Sequence, residues 1–119
     1  MPAPPQIDSA RFGELLLAEF PELKDRVEEH KSLDHLKMME FALFSTEACE
    51  RGEWAKVEKC LLLADKLLRY GDPMVNNAVY VSYLEILPRK GAIHERLRRM
   101  MSIDLRKGWD RILGYLSKL

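Results

Sequence analysis

The chain has 119 residues, 47% of them apolar and 32% charged, with as many acidic as basic side chains. That length suits one domain, the apolar share can fill a core, and the composition excludes full disorder. No apolar run approaches bilayer-spanning length, and two cysteines are too few for a disulfide framework.

Residues 1–6 hold three prolines. They predict a disordered, extended tail ahead of a single helical domain over residues 7–119. The tail has no basic start followed by an apolar stretch, so it does not read as a secretory signal. Cys49 and Cys60 sit in apolar helical patterns, as small hydrophobes, and imply a reducing, cytoplasmic setting.

Asp8 is the expected N-cap of the first helix, with Ile7 and Phe12 at staple positions on either side. Pro21 suits the first turn of a second, short helix, in which Leu23 and Val27 face inward. Ser32 is placed to cap a third helix over residues 33–51, stopped by Gly52. Its apolar residues cover more than one stripe, which predicts a central helix packed on several sides.

The next helix starts near Glu53. Trp54, Val57, Leu61, Ala64 and Leu68 fall on one of its faces. Gly71, Asp72 and Pro73 make a sharp turn, with Asp72 as N-cap and Pro73 at the first position of a new helix. Residues 74–87 are ambiguous. Val79, Tyr80, Val81 and Tyr83 favour strand, while the Asp-Pro start favours helix, and helix is the expectation. Pro88 and Gly91 bracket a turn, and residues 92–101 predict a short basic helix. Ser102 or Asp104 caps the last helix, which carries a stripe of Leu105, Trp109, Ile112 and Leu116. Gly108 and Gly114 either weaken that helix or permit close packing. The expected fold is all-α: a single compact bundle of five to six helices around a central α-hairpin over residues 52–87.

Charge is unevenly spread. Residues 1–60 hold 8 Lys/Arg and 13 Asp/Glu, and residues 61–119 hold 11 and 6. Such asymmetry marks either a charged partner surface or two halves that attract each other. Glu40, Glu47, Glu50, Glu53 and Glu58 form an acidic set. Arg89, Lys90, Arg96, Arg98, Arg99, Arg106, Lys107 and Arg111 form a basic one. A near-neutral chain with few interleaved aromatics makes nucleic acid an unlikely partner. Asn76, Asn77, Ser82 and Glu85 interrupt the apolar run after Pro73. They are either local ties, or part of a contact surface with Tyr80 and Tyr83.

Nothing in the sequence specifies catalysis. There is no G-x-S-x-G, and neither cysteine sits in an activating context. His94 and Glu95 begin a zinc-protease motif, but Arg98 stands where its second histidine belongs. His30 and His35 are too few to bind a metal, and Lys90-Gly91 reverses the order of a phosphate loop. No catalytic, metal-binding or cofactor-binding residue is expected, and the chain reads as non-enzymatic.

Two resemblances bear on the hairpin. Gly52, Trp54 and Asp72-Pro73 are spaced as in half of a tetratricopeptide unit, without the other half at the expected period. A closer likeness runs through Phe20-Pro21-Glu22-Leu23, Trp54 with Cys60 to Asp65, Val75 to Glu85, and Leu105 to Trp109. In these motifs the chain resembles a bacterial family of small all-helical proteins of uncharacterised function. Small proteins of that kind look like the immunity partners of bacterial polymorphic toxins. The likeness implies a toxin inhibitor that covers its partner's active site and uses neither membrane nor cofactor. Glu47, Glu50 and Glu53 are the expected contact face, with Asn76, Tyr80 and Tyr83 as anchors. The alternative is an adaptor that takes a peptide helix in a groove.

Overall fold

A computed structural model describes residues 6–29 and 34–118. Among these described residues seven α-helices form: α1 (Ser9–Glu19), α2 (Lys24–Glu28), α3 (Asp34–Glu50), α4 (Trp54–Tyr70), α5 (Pro73–Ala78), α6 (Gly91–Met100) and α7 (Ile103–Leu116). A 3-10 turn, Pro21–Leu23, leads into α2, and a π segment, Val79–Leu84, continues α5. The count exceeds the expected five to six, and the short α2 and α6 each stand as separate helices where the Pro21 and Ser102 signals placed their boundaries. Residues 1–5 of the expected tail over 1–6, and the Ser32 cap, lie outside the described residues.

The caps follow the chemistry of their residues. Asp8 accepts from the Arg11 amide at 2.8 Å, Asp72 from Val75 at 2.9 Å, and Ser102 from Leu105 at 3.1 Å. Ile7 and Phe12 are both buried beside the first cap, as a staple requires. α3 ends in a Schellman motif. Glu53 N–H donates to Ala48 O at 2.9 Å and Gly52 N–H to Cys49 O at 3.1 Å, with Gly52 at φ 70°.

α3 is the central helix. Met38, Phe41, Ala42, Phe44, Ser45, Ala48 and Cys49 are all buried on it, more than one stripe. It packs on α1, α2, α4, α5 and the π segment. An aromatic run crosses the core: Phe44 meets Phe20 at 5.1 Å, Phe20 meets Phe41 at 6.1 Å, and Phe41 meets Tyr83 at 4.7 Å between ring centroids. Each such pair adds roughly 0.5–1.5 kcal/mol beyond its buried area. Val57, Leu61, Ala64 and Leu68 of the α4 stripe are buried, with Trp54 partly so. On α7 the stripe is buried at Leu105 and Trp109 and half-buried at Ile112 and Leu116.

Residues 74–84 are helical, but not uniformly α. After six residues of α5 the turns widen to i→i+5 bonding. Val79, Tyr80, Val81 and Tyr83 are the residue types that crowd the preceding turn of an α-helix. Their strand propensity emerges as a wide helix, with Val79, Ser82, Tyr83 and Leu84 buried.

The start of the chain is pinned to the α4–α5 turn. Ile7 donates to Tyr70 O at 2.7 Å and accepts from Asp72 N–H at 2.8 Å, a parallel bridge across Gly71. Gly71 has φ −65° and ψ 145°, a conformation open to any residue. Its small size is what the turn needs. A Cβ there would lie 2.4 Å from Leu67 O and 2.8 Å from a Val75 methyl. A backbone oxygen cannot step aside, so Gly71→Ala should destabilise the fold by about 1–3 kcal/mol. A lower urea midpoint at unchanged slope would show it, and an unchanged midpoint would contradict this account.

Candidate functional site

The acidic face does not stand open. Arg26 of α2 reaches Glu40 at 2.8 Å, and both its terminal nitrogens reach Glu47 at 3.1 Å. The hydrogen bonds to Glu47 are the main reason the guanidinium is held above its usual range, against a smaller burial effect. Glu53 pairs with Lys56 at 3.2 Å and, more loosely, with Arg51 at 3.9 Å. Glu50 is exposed on the last turn of α3 and makes no ion pair among the described residues. Of the three carboxylates expected to meet a partner, two are thus engaged within the fold.

The expected anchors go to three different places. Asn76 donates to Leu68 O at 2.7 Å and ties α5 to the end of α4. Tyr83 is fully buried, so it presents no side-chain surface to a partner. Its hydroxyl meets Ser45 Oγ at 2.8 Å, and Ser45 donates to Phe41 O at 2.9 Å, so Tyr83 is the donor of that pair. Burial pushes its phenol well above the usual range. Tyr80 is half-buried against Gly108 of α7, where a Cβ would come within 3.0 Å of its ring. Ser82 does not bond back along its own helix. It meets His35 Nδ1 at 2.8 Å.

That His35–Ser82 contact lies in an open groove of about 900 Å³ between α3 and the chain from Val81 to Lys90. Leu36, Met39, Val81 and Ile86 supply apolar wall, and Glu85, Arg89 and Lys90 supply polar rim. Arg89 donates to Glu85 O at 2.9 Å, which fixes the groove's far end. A serine and a histidine in contact form the first two parts of a nucleophile–base system. A third group must orient the base, and His35 has no second hydrogen bond among the described residues. Sequence reasoning missed this groove. Its walls come from stretches more than forty residues apart, and their one local signal is the β-branched run before Pro88.

His94 lies tilted against Trp109, ring centroids 4.4 Å apart, and bonds Pro88 O at 3.0 Å, while His30 lies outside the described residues. No group of three or more His, Cys, Asp or Glu could hold a metal ion among the described residues. No helix there is long and apolar enough to cross a membrane.

Half of the basic set is engaged too, through Arg89, Arg96, Arg98 and Arg106. Arg98 and Asp110 form a two-point pair between α6 and α7. Arg106 donates to Arg98 O at 2.9 Å, satisfying a carbonyl at the end of α6. Arg96 covers the Trp54 ring at 4.0 Å. Among the described residues, every ion pair joins partners within 1–60 or within 61–119. Among the described residues the two halves therefore do not neutralise each other through direct ion pairs.

Two predictions follow from these placements. Burial pushes the Cys49 thiol up to about 11 and the Cys60 thiol up to about 12. At about pH 8 both should resist alkylation in the folded chain and react only as fast as it opens. Rapid labelling without denaturant would contradict their burial. The hydrogen bonds from Arg98 lower the Asp110 carboxyl below its usual range. A lowered acid contributes stability above its unfolded value and loses it as pH falls through the folded value. Asp110→Asn should therefore cost at most ~1 kcal/mol near neutrality, because the pair is solvent-screened. The variant and the natural chain should converge in acid, below the unfolded carboxyl value. A gap that widens with acidity would refute the pairing.

No curated protein and no solved structure matches this chain. A family model described as a domain of unknown function, DUF7674, matches residues 13–116. That span takes in every helix described above except the first turn of α1, and this chain belongs to that family.

Proposed function

We propose that this chain is a non-enzymatic protein-binding module, and specifically an immunity-type inhibitor that covers the working surface of a bacterial toxin domain. The observation that carries the binding reading is the open groove between α3 and residues 81–90. Its volume of about 900 Å³ suits a few side chains of a partner segment. Apolar walls with a polar rim are the arrangement into which an amphipathic helix lays one face. The floor is rigid, because Ser82, Tyr83 and Leu84 are buried in the core beneath it. An analogy of size and gene style supports the toxin as partner. The likeness of α4 and α5 to half a tetratricopeptide unit belongs to this reading as scaffold. The cytoplasm is the proposed setting, where buried free thiols stay reduced.

The groove favours a second reading as well, an adaptor that accepts helices from several proteins. A dedicated inhibitor has one partner, and an adaptor has many that share a short motif. Co-expression with the protein encoded by the adjacent gene separates them. The inhibitor reading expects a stable complex and protection from toxicity. Met39→Glu and Ile86→Glu place charge on the groove wall and should each weaken that complex about tenfold or more, ~1.4 kcal/mol. Both side chains are half-buried, so circular dichroism must first show intact helix content. Undiminished binding by folded variants would remove the groove. No complex and no protection would remove the inhibitor.

A further inference from the structure

A second cleft, of about 300 Å³, lies between α4, α5 and α7 on the other side of the π segment. Arg69, Tyr80, Lys107 and Arg111 line it, together with Asp104. Arg69 is already occupied, by Asp65 at 3.1 Å and Asp104 at 3.4 Å. Lys107 and Arg111 are not. Both are exposed, and neither makes an ion pair among the described residues. They stand one turn apart on α7, where like charges repel. The Tyr80 hydroxyl, in the same cleft, also makes no hydrogen bond among the described residues.

The geometry that gathers these groups is built into the chain. Gly108 sits between the two cations and lets the Tyr80 ring lie against α7. A Cβ would meet Tyr80 Cε1 at 3.0 Å and Leu84 Cδ1 at 3.4 Å. Asn76, held on Leu68 O, fixes the opposite wall. Two uncompensated cations and a free phenol hydroxyl are donors for a carboxylate. Ile103, 66% exposed, stands one turn before Lys107 on α7 and offers an apolar neighbour to that cation.

We propose that this cleft takes an acidic side chain of the partner protein, from a segment that alternates carboxylates with apolar residues. The proposal rests on the protein-binding reading and adds the chemistry of what is bound. The volume fits a side chain, not a folded element. A continuous phosphate backbone suits it poorly, because the whole chain has no net charge.

The test is a titration of the full chain, isotopically labelled, with a blocked peptide of alternating glutamate and leucine. Amide shifts should centre on Tyr80, Lys107, Gly108 and Arg111, and affinity should fall with salt. The same peptide with glutamine for glutamate should bind about tenfold more weakly, and so should the Lys107→Ala/Arg111→Ala chain for the glutamate peptide. Both substituted side chains are exposed, so the fold is retained. Tyr80→Phe should bind several-fold more weakly, with the ring contact kept. Absent binding, equal binding of the two peptides, or full binding by the double variant overturns the proposal. Stronger binding of single-stranded oligothymidine at the same amides overturns it in favour of nucleic acid. A complex from the co-expression test that survives the double variant would remove this site and leave the binding module standing.

Discussion

The packing of the π segment Val79–Leu84 against α3 is the contact on which the other placements depend. Tyr83 makes it. Its ring is fully buried, 4.7 Å from Phe41, and its hydroxyl closes on Ser45. Fully burying a large side chain is worth roughly 1.5–3 kcal/mol. An unpaired buried hydroxyl costs about 1–3 kcal/mol, enough to cancel that gain. The Ser45 bond is therefore what makes Tyr83, rather than phenylalanine, tolerable at this position. The neighbours of Tyr83 spread the anchorage outward. Ser82 reaches His35 on α3, and Tyr80 and Leu84 lie against Gly108 on α7. Six residues thus set where α3 and α7 stand relative to each other.

What the sequence made legible was local chemistry. Asp8, Asp72 and Ser102 cap as their side chains dictate, Gly52 stops α3, and one face of α4 is buried in the predicted register. Each signal acts within one turn of itself, so a single stretch of residues carries it. The bridge from Ile7 to the Gly71 turn left no such trace, because two backbone hydrogen bonds impose no side-chain pattern. Nor does i→i+5 bonding produce a pattern that separates it from α-helix over six residues. The β-branched and aromatic run registered as ambiguity, and its physical outcome was a widened helix.

The contact residues were harder for the same reason. Glu47 and Glu53 read as an open face when only α3 and its end are considered. A cation 21 residues upstream, Arg26, is what engages Glu47. Tyr83 has the residue type of a binding anchor, and burial alone decides that it serves as core. Charge asymmetry between the halves proved the more durable observation. Among the described residues ion pairs are confined within each half, so the surplus cations of residues 61–119 have no ion-pair partner in residues 1–60, and exposed Lys66, Lys90, Arg99, Lys107 and Arg111 carry that surplus.

The two candidate surfaces share one element. Val81 and Ser82 face the groove, while Tyr80, the preceding residue, faces the cleft. In a regular α-helix adjacent residues lie about 100° apart around the axis, and the wider π turn alters that spacing. The register of Val79–Leu84 therefore fixes how the apolar groove and the cationic cleft are aimed. A partner that seated a helix in one and a carboxylate in the other would grip opposite sides of the same six residues. Binding at both would therefore depend on how those six residues are packed, so the contacts of Tyr83 and Leu84 with the core also hold the aim of Tyr80, Val81 and Ser82.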